Sequence, residues 1–214
     1  MKTLALIARR RDITRDAFRD HYEEIHAPLA LRTLLDGTTR YVRHHLREEL
    51  FGQPAFDVVT AFWYRDAAAA AEILRRTETP AGDPIRRDEL TFMDKLANTF
   101  FAVTERVVRG AEDRTAPLAA VALVRRPAGA VAARFAESYE QREVPRLLDA
   151  VRAPAWCLHN RALRFGPDEP AFDAVTQVHA DADAGLAQWA KELAATGAGV
   201  VIATVSEHES ALTG

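Results

Sequence analysis

The sequence predicts an α+β protein built from two β-α-β-β-α-β units in tandem, with the sheets of the two units covering each other as an intramolecular pseudo-dimer. Three observations predict it. Phe18, Tyr22, Glu23 and Pro28 meet Phe135, Tyr139, Glu140 and Pro145 at an offset of 117 residues, so one helical frame occurs twice. LALIARR from Leu4 meets AVALVRR from Ala120, and PAFDVVT from Pro54 meets PAFDAVT from Pro170, both at an offset of 116. Finally, strands such as residues 56–64 (FDVVTAFWY) are apolar on both faces, so a sheet with helices on one side only needs a cover on the other.

Each element of the first unit has a local cause. Residues 3–9 form a short apolar run ending in charge, read as a strand. Thr14 suits a helix N-cap, Asp16 falls in the first turn, and Phe18, Tyr22 and Ile25 share one apolar face. Pro28 has no N–H to donate, so the helix is expected to break or restart near His26 and Ala27, which puts an imidazole at a helix end. Residues 40–46 and 56–64 read as strands joined through Gly52 and Pro54, residues 66–76 as an alanine-rich helix, and residues 80–94 as a loop becoming helical after Pro84. A strand over 100–108 completes the unit, and the polar stretch 110–116 reads as a linker.

The second unit follows the same order, with two differences. Glu143 stands where the first copy has His26, and nothing matches the segment around residues 80–94, because the offset falls to 102 at the closing strands. Tyr41 and His44 align with Trp156 and His159, and His45 with Asn160. Domains are therefore expected at 1–109, carrying the chemistry, and at 117–214, mainly structural.

Bulk properties narrow the function. A net charge of −3 with only short arginine clusters argues against nucleic acid as a partner. Cys157 is the only cysteine, which rules out an intrachain disulfide or a cysteine metal cluster and fits the cytoplasm. No apolar run approaches the ~20 residues of a membrane span. Neither a glycine-rich nucleotide loop nor a matched set of metal ligands is present, so no cofactor is expected.

At this point the chain resembles the EthD domain of the dimeric α+β barrel superfamily. The resemblance rests on the strand ending in Ala8-Arg9-Arg10, on Phe18 with the triplet His26-Ala27-Pro28, on Tyr41-Val42, and on Asp88 with Phe92-Met93-Asp94. It covers about the first 105 residues, and the second half shares only the frame. It implies two ferredoxin-like repeats packed sheet to sheet as an α+β barrel. It also implies a cavity between sheet and helices, and a spread of functions running from an accessory protein of ether degradation to aromatic polyketide enzymes.

Imidazole exchanges protons near neutrality, so His26 is the leading candidate for a general acid or base, with Asp88 or Asp94 to polarise it and His45 as a second proton carrier. Tyr22, Tyr41, Arg43 and His44 are candidates for substrate contacts, and Phe62, Trp63 and Phe92 for an aromatic wall. His44 and His45 must point to opposite faces of their strand. The expected function is metal-free, nucleotide-free acid–base catalysis on an aromatic or polyketide-like molecule, as a cyclase, dehydratase or decarboxylase. The alternatives are a hydrophobic-ligand-binding or accessory protein and a cofactor-independent oxygenase. A homodimer of such chains is compatible with all three.

Overall fold

The computed structural model describes every residue except 113, 165–168, 211, 213 and 214. The linker expected over 110–116 therefore lies partly outside the described residues. Contacts divide the chain into two compact units: residues 1–45, 55–100 and 207–214 form the first, and residues 46–54 and 101–206 the second.

The first unit opens with β1 (Lys2–Ile7). Helix α1 (Arg15–His21) follows, and its N-cap Thr14 accepts a hydrogen bond from the Ala17 amide. The expected interruption at Pro28 is a π-turn over Tyr22–His26, from which α2 (Ala27–Thr33) continues. The Ala27 amide reaches back to the Tyr22 carbonyl. That wider turn moves backbone carbonyls away from a proline ring that would clash inside a regular helix, so the chain bends without breaking. The antiparallel β2 (Thr38–Phe51) and β3 (Val58–Tyr64) follow, in the order β1-β3-β2. Helix α3 (Ala67–Thr77) is capped by Asp66, and a 3-10 turn at Pro80–Gly82 leads into α4 (Asp83–Phe92), with Pro84 in its first turn. The core of this unit gathers Phe18, Tyr22, Tyr41, Ile73, Ile85 and Phe92.

β4 (Thr99–Arg109) leads into the second unit, followed by β5 (Leu118–Arg125), α5 (Ala132–Ser138), a π-turn over Tyr139–Glu143 and α6 (Val144–Asp149). The short β6 (Val151–Arg152) precedes β7 (Trp156–Ala162) and β8 (Ala174–Ala180), and the short β9 (Ala182–Asp183) precedes α7 (Leu186–Ala194) and β10 (Gly199–Glu209). Its antiparallel order is β10-β5-β8-β7-β4. No counterpart of α4 lies between α7 and β10. Gly110 is required where it stands: its φ is +59°, and a Cβ there would lie 1.9 Å from the Ala155 carbonyl oxygen.

The ladders correct two alignments made on residue identity. Ile7 faces Val58 and Val124 faces Ala174, so β1 and β5 correspond at an offset of 117, as the helices do, and not at 116. The cause is polar. Asp57 accepts from the Arg9 backbone amide at 3.0 Å, and Asp173 accepts from that of Arg126 at 2.8 Å. A strand buried on both faces reads almost equally well one residue out of step, so these hydrogen bonds set its register. Likewise Arg43 faces Thr60 and His159 faces Thr176, which gives His159 the place of Arg43, not of His44.

Candidate active site

α4 and the π-turn build the site between them, inside the first unit. His26, the last residue of the π-turn, is buried, and its Nδ1 lies 2.8 Å from Asp88 Oδ2. His21, at the end of α1, places its Nε2 2.8 Å from the other oxygen, Oδ1. Asp88 and Phe92 sit four residues apart on α4, so one helical face supplies both the carboxylate and a packing ring. The Phe92 ring lies 4.4 Å from that of His21 and 5.2 Å from that of His26. Burial works against the charge on Asp88, but the hydrogen bonds from His26 and His21 outweigh it and hold the carboxyl below its usual range. An ionised Asp88 accepts a hydrogen bond from each ring, which puts the hydrogen of His26 on Nδ1. Among the described residues no hydrogen bond occupies His26 Nε2.

His26 is part of the wall of a cavity of about 570 Å³, together with Tyr41, Phe62, Tyr64, Ile85 and Phe100. Tyr41 and Phe62 stack with centroids 4.9 Å apart, and the Arg43 guanidinium lies 4.4 Å from the Tyr41 ring centroid. Burial holds the Tyr41 phenol well above its usual value, so it remains a proton donor. Arg86, Glu89 and Lys95 also line the cavity, and Glu89 pairs with Lys95.

A second polar cluster lies beside this one. Glu23 accepts from Arg43 Nε at 3.0 Å and from His45 Nε2 at 2.6 Å, and a further Arg43 nitrogen bonds its other oxygen. Burial alone would raise the Glu23 carboxyl; His45 and Arg43 overcome it and bring it down to about 2. Burial also lowers the pKa of His45 despite Glu23, which favours its neutral ring. Among the described residues no group of three or more His, Cys, Asp or Glu side chains is arranged to hold a metal ion.

The remaining sequence candidates separate. Tyr22 is buried behind the cavity, and its hydroxyl meets that of Thr60 at 3.1 Å. As alternation requires, His44 points away from His45, with its Nδ1 2.8 Å from Glu207. Trp63 packs under Lys2 and Arg40, and Asp94 accepts from the Leu96 amide at 3.3 Å; neither lines the cavity. His21 was missed. Its signal was present, since at the offset of 117 it meets Ser138 and is as particular to the first unit as His26.

Residues 10–96 match the EthD domain. No curated protein matches the chain significantly in sequence. Among solved structures, an anthrone oxidase-like protein superposes with a TM-score of 0.60 at 9% identity, covering 97% of this chain and 92% of that one. A provisional monooxygenase of Fusobacterium nucleatum gives a TM-score of 0.52 at 10% identity, with 96% and 91% covered. Another, from Lactobacillus acidophilus, gives 0.50 at 10% identity, with 99% and 95% covered. These likenesses show a shared mixed α/β fold built on antiparallel sheet. No helix among the described residues is long and apolar enough to cross a membrane.

Proposed function

We propose that the first unit is a small-molecule enzyme site in which His26 removes a proton from an aromatic or polyketide-like substrate. The observation that carries this reading is a buried imidazole on the wall of an apolar cavity, with Nδ1 tied to a carboxylate and Nε2 without a hydrogen-bond partner among the described residues. Asp88 stabilises the imidazolium formed when Nε2 takes the proton. The Tyr41 phenol, in the same cavity and kept protonated by burial, donates to the substrate oxygen on which the negative charge collects. On this reading the second unit is a structural copy of the first.

The proton step is common to two outcomes. A carbanion next to a carbonyl leads to cyclisation, dehydration or decarboxylation if the substrate carries a suitable group. Alternatively it reacts directly with dioxygen, and the description of one structural neighbour as anthrone oxidase-like favours this second course. Anthrone tests both, because its central CH₂ lies between two rings and is conjugated to a ketone. Under argon in D₂O, the protein should speed exchange of that CH₂ with solvent, and His26→Gln should abolish the acceleration. In air, oxygenase activity would consume one O₂ per anthrone and give anthraquinone and water. Binding of anthrone without faster exchange would identify a carrier and end the catalytic reading.

A further inference from the structure

His21 has no part in the proton step just described, yet it shares a carboxylate with the residue that does. We propose that His21 is a positioning residue: by holding Asp88 Oδ1 it turns Oδ2 onto His26 and so selects the tautomer of His26 whose Nε2 lone pair serves the cavity. This rests on His26 being the base.

Four observations converge on it. Each carboxylate oxygen has its own imidazole at the same distance, 2.8 Å, so the plane of the Asp88 carboxylate is fixed at both ends. With a single partner, the terminal torsion of an aspartate is broad and soft, and the oxygen facing His26 would wander. Phe92 lies against both rings, so the two imidazoles are set by one side chain as well as by one carboxylate. The His21 side chain is 25% exposed against 7% for His26, which fits an outer support, not a group that meets substrate. In the second unit the frame position of His21 is Ser138, whose hydroxyl accepts from Arg142 at 3.1 Å, and α4 has no counterpart there. The support occurs only where there is a histidine to position.

The test needs no ligand. Long-range ¹H–¹⁵N spectra of histidine-labelled protein, recorded at about pH 8, report which nitrogen of His26 carries hydrogen. The parent should show the Nδ1–H form. His21→Phe and His21→Ala should each give a mixture in which Nε2–H is substantially populated. His21→Gln, whose side-chain amide can still donate to Oδ1, should restore the parent signature. A surface brace with no positioning role would leave the His26 tautomer unchanged in all three variants, and that result would overturn the proposal. Loss of anthrone exchange on His26→Gln is read separately, so positioning and base catalysis can fail independently.

Discussion

Tyr22 and Tyr139 do the same work: each begins a π-turn, and each hydroxyl meets that of a threonine, Thr60 at 3.1 Å and Thr176 at 3.2 Å. Four residues later the units part. His26 turns to Asp88 on α4, whereas Glu143 pairs with Arg146 one turn along its own helix, at 3.1 Å. The carboxylates beside the tyrosines differ too. Glu23 is gripped by Arg43 and His45, while Glu140 stands 3.5 Å from His159 and 3.6 Å from Arg106. A cavity of about 410 Å³ in the second unit is lined by Thr104, Arg161 and Asp173, and Glu143 is not part of its wall. A frame that repeats its packing while changing the polar groups facing a cavity is what one expects when the fold tolerates chemistry but does not require it.

That contrast can be broken most decisively by a matched pair. His26→Gln should lower anthrone exchange by roughly 10²- to 10⁴-fold, the usual span for a general base, while Glu143→Gln leaves the rate nearly intact. Comparable losses in both would mean that the two units share the work.

A second contrast lies in acid. Burial lowers His159 to about 4, with Glu140 only partly compensating, from an ordinary value of 6.5. The unfolded chain then binds a proton that the native state refuses, so stability is complete above pH 6.5 and falls as pH drops towards 4, by about 3 kcal/mol. His159→Asn should remove this dependence in denaturant titrations at pH 7 and pH 4. An unchanged slope would show that His159 titrates normally in the fold.

Asp88→Asn tests the partner of His26. Removing the charge behind His26 without removing the side chain should cost roughly 10- to 100-fold in turnover with little change in KM. A rise in KM alone would make Asp88 a binding residue. The smallest effects concern the shared frame: Thr60→Val and Thr176→Val each remove the hydroxyl partner of a buried tyrosine and should each cost about 1 kcal/mol. Thr176 also meets His159 Nδ1 at 3.1 Å, so its loss should cost the more, and a smaller cost there than at Thr60 would mean that Tyr139 leans on its threonine less than Tyr22 does.

Much of this was legible in the chain. Thr14 and Asp66 cap helices as their chemistry dictates, and Pro28 signalled an interruption near His26 and Ala27, where the turn over Tyr22–His26 ends. That the interruption takes the form of a π-turn could not be read, because a proline shows where a regular helix fails and not how the backbone adapts. His26 and Asp88 were both identified as candidates, but Asp94 stood equal to Asp88 and His21 was missed, since 62 and 67 residues separate Asp88 from the two rings and only the packing of α4 brings them together. The strand offsets misled for a related reason. LALIA and AVALV are apolar throughout, and register there depends on Asp57 and Asp173 finding one backbone amide each.

On the proposed reading one site works, and it lies in the first unit. A crystal structure of the protein soaked with anthrone under argon tests it most directly. Ligand density is expected in the cavity of about 570 Å³, with the central carbon against His26 Nε2 and the ketone oxygen within hydrogen-bond reach of Tyr41. Anthrone bound beside Glu143 with the His26 cavity empty would contradict it.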